Sequence, residues 1–97
     1  MVEGKYSITM KTPLGVQKGV VTLNVNGDSL SGVFKALGTA NNFNDGKVSG
    51  NNFTFSGRLR TMIGSISYVV EGAIDGDNIT AVAKTSKGNF QITGKRE

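Results

Sequence analysis

The chain contains no cysteine, histidine or tryptophan and only one proline among its 97 residues. Without thiols there is no disulfide framework. Without thiolate or imidazole there is no zinc finger, haem ligand set, thiol nucleophile or Ser-His-Asp triad. Any chemistry falls to Asp, Glu, Lys, Arg, Tyr or the backbone. No apolar run approaches the roughly 18 to 20 residues that cross a bilayer as a helix, so no membrane partner is expected. Met1-Val2-Glu3-Gly4 opens without the basic segment and apolar run of an export signal. The expectation is a cytoplasmic protein, or a secreted one whose signal has been removed, and the lack of cysteine suits both. Charge is sparse as well, at 19% of residues with a formal net charge of +4. The cations are spread singly from Lys5 to Arg96, with no run longer than Lys95-Arg96. Such a surface is mildly attractive to anions and falls short of a nucleic-acid footprint. At this length one domain spanning residues 1–97 is expected, with an adequate but thin core.

What the sequence has in quantity is glycine, 14 residues of it, set among alternating apolar and polar positions. Tyr6, Ile8 and Met10 alternate with Lys5, Ser7, Thr9 and Lys11, the period of a half-buried strand. The same period runs through 53–60, 66–74 and 90–96, and shorter apolar stretches at 20–25, 30–36 and 79–84 read as further strands. A short strand near Lys47-Val48-Ser49 brings the number to about eight. Phe34 to Leu37 has room for a helical turn, and Thr39-Ala40-Asn41-Asn42 reads as an irregular loop. Glycines and β-branched residues interrupt every candidate amphipathic helix.

Turn chemistry falls between these runs, at Thr12-Pro13-Leu14-Gly15, Asn26-Gly27-Asp28, Asp45-Gly46, Ser49-Gly50-Asn51, Asp75-Gly76-Asp77 and Ser86-Lys87-Gly88-Asn89. Asn-Gly and Asp-Gly supply the positive φ of tight hairpins. Three segments starting at Val25, Val48 and Ile74 share the order apolar, polar, Gly, Asp or Asn, polar, apolar, hydroxyl. A longer register also shows, since Thr12 and Thr61, Gly15 and Gly64, Val20 and Val69, Gly27 and Gly76, and Lys35 and Lys84 each lie 49 positions apart. The chain reads as two related halves. Strands joined in order by short turns give an all-β, antiparallel meander barrel of about eight strands, internally repeated.

Gly4-Lys5-Tyr6 on the first strand and Arg96 at the end of the last resemble the calycin signature, in which a Gly-x-Trp and a late basic residue meet across the closed end of a barrel. Tyr6 stands where calycins carry Trp. Thr12-Pro13-Leu14-Gly15, the Asp-Gly-Asp-type turns and the closing Thr93-Gly94-Lys95-Arg96 are similar to short uncharacterised bacterial barrel domains. The resemblance, to lipocalin- and avidin-type proteins, implies a meander barrel that holds a small apolar ligand.

Alternation directs Tyr6, Ile8, Met10, Val21, Leu23, Leu30, Phe34, Phe53, Phe55, Leu59, Ile66, Tyr68, Val70, Ile79, Ala81, Ala83, Phe90 and Ile92 inward. Gly32, Gly57, Gly72 and Gly94 fall in the same series, where a missing side chain either allows close packing or leaves open volume. An eight-stranded barrel is wide enough to be filled by side chains or to hold one small ligand. The candidate ligand-binding residues are Tyr6, Met10, Phe34, Phe55, Tyr68 and Arg96. The alternative for the phenols is structural, with Tyr6 meeting Arg96 and Tyr68 meeting a backbone carbonyl. Met10, Met62 and Phe34 serve equally as gap fillers.

No catalytic residue, metal site or cofactor is assigned. Asp28, Asp45, Asp75 and Asp77 sit in turn sequences, and Asp75-Gly76-Asp77 lacks the ligand spacing of a calcium loop. Glu71 alone lies within a strand, turned outward by alternation, so a lyase or isomerase is the least favoured reading. Arg58 and Arg60, and Lys35 and Lys84, are outward cations without aromatics beside them for base stacking. Val20, Val33, Val69 and Val82 interrupt the outward polar series at repeat-related places and suggest a homodimer surface. Two main functions follow: an apolar interior that binds a small hydrophobic or aromatic molecule, or an accessory or oligomerisation module with a filled core.

Overall fold

The computed structural model describes residues 2–12, 15–36, 38–61, 64–86 and 88–97. The chain forms β1 (Gly4–Thr12), β2 (Gly15–Asn26), β3 (Ser29–Ala36), β4 (Thr39–Ser49), β5 (Asn52–Thr61), β6 (Gly64–Asp75), β7 (Asn78–Thr85) and β8 (Gly88–Arg96). Each strand pairs antiparallel with the next, and β8 returns to β1 to close the barrel. Closure removes the free edges that an open meander would expose. Pro13, Leu14, Leu37, Met62 and Lys87, all in expected turns or gap-filling roles, lie outside the described residues, as do the side chains of Leu59 and of Arg60, expected to point outward.

The two ends of the barrel differ. At one end the turns Gly27-Asp28, Gly50-Asn51 and Gly76-Asp77 begin on glycines with φ of 66°, 61° and 62°. Left-handed backbone at that position matches the twist of tight hairpins, and a β-carbon there would strain it. The same end is tied to neighbouring strands by Val48 N–H to the Asp28 carbonyl and Arg96 N–H to the Asp77 carbonyl. The chain start folds across it: Val2 is buried, the Tyr6 hydroxyl donates to the Val2 carbonyl at 2.6 Å, and the Val25 amide donates to the Glu3 carboxylate at 3.0 Å. The other end carries the β1–β2, β3–β4, β5–β6 and β7–β8 connections.

Alternation places the core as expected, with Tyr6, Ile8, Met10, Val21, Leu23, Leu30, Phe34, Phe53, Phe55, Tyr68, Val70, Ile79, Ala81, Ala83, Phe90 and Ile92 all buried. Ile66 is only half-buried, toward the end that carries the β5–β6 connection. Val2, Ala36, Phe43 and Ile74 join the core in addition.

Three local expectations are corrected, the first being the turn expected at Asp45-Gly46, which lies inside β4. Phe34 to Ala36 continues β3 instead of turning into a helix, because Val33 and Phe34 are already committed to the β2 ladder opposite Thr22 and Val21. Thr39-Ala40-Asn41-Asn42 is the start of β4, paired with β3 from Ala36↔Thr39 to Gly32↔Phe43, so the strand covers far more than Lys47 to Ser49. Its sequence hides this because β4 contains a β-bulge. Gly32 faces Phe43 but Leu30 faces Gly46, so Ser31 has two residues opposite it, Asn44 and Asp45, both exposed. One extra residue reverses the inward phase from odd to even numbers. Phe43 and Gly46 therefore both face the core, which no single period of two connects.

Ladder positions 49 apart are equivalent in the two halves: Val20↔Lys35 matches Val69↔Lys84, and Leu23↔Gly32 matches Gly72↔Ala81. Beyond the bulge the offset becomes 48, since Gly46 faces Leu30 as Gly94 faces Ile79. The wall differs most next to this point. β5 pairs with β6 along its whole length, whereas β4 and β5 pair only at Lys47↔Thr54, Val48↔Phe53 and Ser49↔Asn52. Among the described residues, Thr39 to Gly46 has no ladder partner on β5.

Candidate functional site

Alternation on β3, β5 and β6 brings Phe34, Phe55 and Tyr68 together inside the wall. Phe34 meets Phe55 edge-on with ring centroids 6.1 Å apart and Tyr68 at 5.4 Å, and Phe55 meets Tyr68 at 6.1 Å and 87°. These T-shaped contacts set each ring edge against a neighbour's face, the arrangement favoured by the ring quadrupole. Phe43, brought inward by the bulged strand, stacks on Phe55 at 3.9 Å and 9° across the unladdered seam. Phe53 lies nearly parallel to Phe55 at 6.1 Å on the other side.

One polar pair is set into this cluster. The Tyr68 hydroxyl donates to Asn41 Oδ1 at 2.8 Å, and the Asn41 Nδ2 amide donates to the Arg58 carbonyl at 2.5 Å. The carboxamide of β4 thus supplies β5 with a hydrogen bond that a strand ladder would otherwise make. Burial pushes the Tyr68 phenol up from 10.0 to about 12, since the phenolate would lose its hydration there. The hydroxyl is therefore a neutral donor at ordinary pH. Gly57, opposite Tyr68 on β5, makes room for the pair: a β-carbon there would lie 2.5 Å from Asn41 Oδ1 and 2.6 Å from the Tyr68 hydroxyl oxygen.

Among the described residues, side chains pack the interior, with one void between Ile8, Phe34, Phe55 and Ile92 and another between Met10, Tyr68 and Phe90, each of about 10 Å³. That is room for about one water molecule. Larger hollows are outside the barrel: an open groove of about 410 Å³ beside Lys18, Lys35 and Thr39, and one of about 340 Å³ beside Val2, Val25 and Val48.

Of the six candidate residues, the structure brings Met10, Phe34, Phe55 and Tyr68 into one neighbourhood. Tyr6 and Arg96 stand at the opposite end, under the Val2–Glu3 segment. The Arg96 guanidinium lies 4.9 Å from the Tyr6 ring centroid, pairs with Asp77 at 3.2 Å and donates to the Glu3 carbonyl. Tyr6 is raised mainly by burial, with the Arg96 charge acting against that rise. This group closes an end of the barrel. Tyr68 meets a side-chain amide, not a backbone carbonyl. Sequence reasoning missed Asn41 and Phe43, although the 49-residue register contained the signal: β8, Gly88 to Arg96, projects onto 39–47.

Glu71 points outward and pairs with Lys84 at 3.3 Å, both side chains more than half exposed. Arg58 and Lys35 are exposed. Val20, Val33 and Val82 are half-buried and Val69 is 40% exposed. Val20 and Val33 lie on the β2–β3 wall, Val69 and Val82 on the β6–β7 wall. Among the described residues no group of three or more acidic side chains is gathered as a metal cluster would be, and no helix is long and apolar enough to cross a membrane.

The site and wall together define a small eight-stranded antiparallel meander barrel with a packed aromatic interior. No protein-family model and no curated protein matches the sequence. Among solved structures, the chain is similar to a redesigned β-barrel, mFAP1, bound to DFHBI, with a TM-score of 0.73 and 17% identity over 98% of this chain and 94% of that one. It is also similar to part of a candidate outer membrane protein from Bacteroides fragilis, with a TM-score of 0.67 and 19% identity over 99% of this chain and 44% of that one. A third likeness is to a structure named as the REP1-NXSQ fatty acid transporter, with a TM-score of 0.59 and 11% identity over 98% and 95% of the two chains. At these identities the likeness establishes the fold.

Proposed function

We propose that the chain is a calycin-like barrel that reversibly binds a small hydrophobic or aromatic molecule among Phe34, Phe55 and Tyr68. The observation that carries this reading is the Tyr68–Asn41 pair, a hydrogen-bonding group of fixed geometry inside an otherwise aromatic and aliphatic lining. Binding sites for small molecules have this composition, mostly apolar with a few placed polar groups. The shared fold with a barrel that holds DFHBI and with a fatty acid transporter supports the same reading. Because the voids beside Phe34, Phe55 and Tyr68 are about 10 Å³ each, a ligand enters by displacing resident side chains. The equivalence of ladder positions 49 apart supports duplication of a four-stranded unit.

Fluorescence titration with DFHBI and with a conjugated fatty acid tests the proposal. Saturable binding that weakens in Phe55→Ala and Tyr68→Phe, each checked for folding by circular dichroism, is the expected result. No binding of any apolar compound by the folded chain discards it.

The packed interior of the described residues favours a second reading, a non-catalytic accessory module, with the more exposed Val69 and its neighbour Val82 as contact positions for a homodimer, since Val20 and Val33 lie on the opposite wall. Light scattering across concentrations separates the two. A dimer that dissociates on Val69→Lys supports the module, and a monomer throughout removes it.

A further inference from the structure

The β4–β5 side of the barrel wall is held by a ladder only at Lys47 to Ser49. From Thr39 to Phe43, β4 is paired with β3 alone, and side chains seal its other edge against β5. The Phe43 ring lies flat on Phe55 at 3.9 Å, and the Asn41 carboxamide spans from the Arg58 carbonyl to the Tyr68 hydroxyl. An interior side chain with ladders on both edges leaves its place only if both break. From Thr39 to Phe43 only one edge carries a ladder, so opening costs less here than where both edges are paired. The two residents also describe what fits. One is a flat ring. The other presents a donor and an acceptor side by side, to a carbonyl and a hydroxyl that need partners when it leaves.

We infer that the β4–β5 seam is the ligand site, and that its ligand is a planar aromatic molecule with an adjacent hydrogen-bond donor and acceptor, such as a ring-fused lactam or an aryl amide. The ring takes the place of Phe43 against Phe55, its N–H takes the Arg58 carbonyl, and its carbonyl accepts from Tyr68. Asn41 is then an internal competitor that keeps both groups satisfied in the empty state. This rests on the small-molecule reading above and names the part of the barrel and the chemistry that serve it.

The test uses the whole chain with 1(2H)-isoquinolinone, a two-ring lactam, against naphthalene, which has similar rings and no polar edge. Binding is followed by amide chemical shifts, and amide hydrogen exchange is measured without ligand. The expected result is at least tenfold tighter binding of the lactam, with shifts centred on Asn41, Phe43, Arg58 and Tyr68. Asn41→Ala should tighten the lactam about tenfold and leave naphthalene unchanged, and Tyr68→Phe should weaken the lactam about tenfold. Amides of 39–45 should exchange at least tenfold faster than those of β8 facing β1. If Asn41→Ala does not fold, Tyr68→Phe and exchange decide. Equal affinity for the two compounds, or seam amides as protected as β8, overturns the seam site. Binding of DFHBI or a fatty acid with shifts elsewhere removes the seam site and leaves the small-molecule reading standing. No binding of any of the four compounds removes both.

Discussion

Asn41 on β4 and Tyr68 on β6 are hydrogen-bonded at 2.8 Å across the strand that lies between them in the barrel wall. The bond passes over β5 at Gly57, where a β-carbon would fall within 2.6 Å of both partners. Three residues from three strands thus form one unit, and each limits what the others tolerate.

Gly57→Ala should destabilise the fold by about 1 to 3 kcal/mol, the usual cost of forcing extra volume into a packed site. Chemical denaturation measures it. The loss should shrink in the background of Asn41→Ala, where the nearest obstructing atom is gone.

Tyr68→Phe leaves Asn41 Oδ1 without its donor and should cost about 1 to 2 kcal/mol. A double-mutant cycle with Asn41→Ala should give a coupling of about 1 kcal/mol, because the two groups share the bond. Additive losses would mean that the pair adds nothing beyond packing.

Stability should fall at alkaline pH. Tyr68 is raised in the folded chain from 10.0 to about 12, so between those values the folded state keeps a proton that the unfolded state has released. The contribution is complete below pH 10 and is lost as pH rises through about 12. Tyr6, raised in the same direction, adds to the slope. Thermal melts from pH 9 to 12, with tyrosinate absorbance in parallel, should show a shallower decline in Tyr68→Phe.

Arg96→Met should loosen the closed end, since the guanidinium serves Asp77, the Glu3 carbonyl and the Tyr6 ring together. A loss of about 1 to 2 kcal/mol is expected, mostly from the carbonyl bond and the ring contact. The exposed ion pair adds little. Faster exchange of the Val25 amide, held by Glu3, would locate the effect at this end.

Most of the wall was legible from alternation, because the strands other than β4 each hold a single inward phase and end in recognisable turn residues. Phe34, Phe55 and Tyr68 were legible as inward residues for the same reason. β4 was not. Its early half carries Asn41 and Asn42 where a buried strand normally carries apolar residues, and the bulge at Asn44 and Asp45 breaks the period. Asn41 is tolerated inward because Tyr68 and the Arg58 carbonyl satisfy its amide, a circumstance set by strands distant in sequence. The cover formed by Val2 was invisible on similar grounds, since a lone valine before the first strand carries no period.

The extra residue in β4 has a consequence for how the molecule comes apart. A ring of eight equivalent staves has no preferred place to part, whereas one supernumerary residue in one stave gives this ring a clasp. Removing Asn44 would bring Gly46 into the same spacing from Gly32 that Gly94 has from Ala81, and would let β4 knit to β5 as β8 knits to β1. The shortened chain should be harder to unfold, with its midpoint in chemical denaturation moved to higher denaturant.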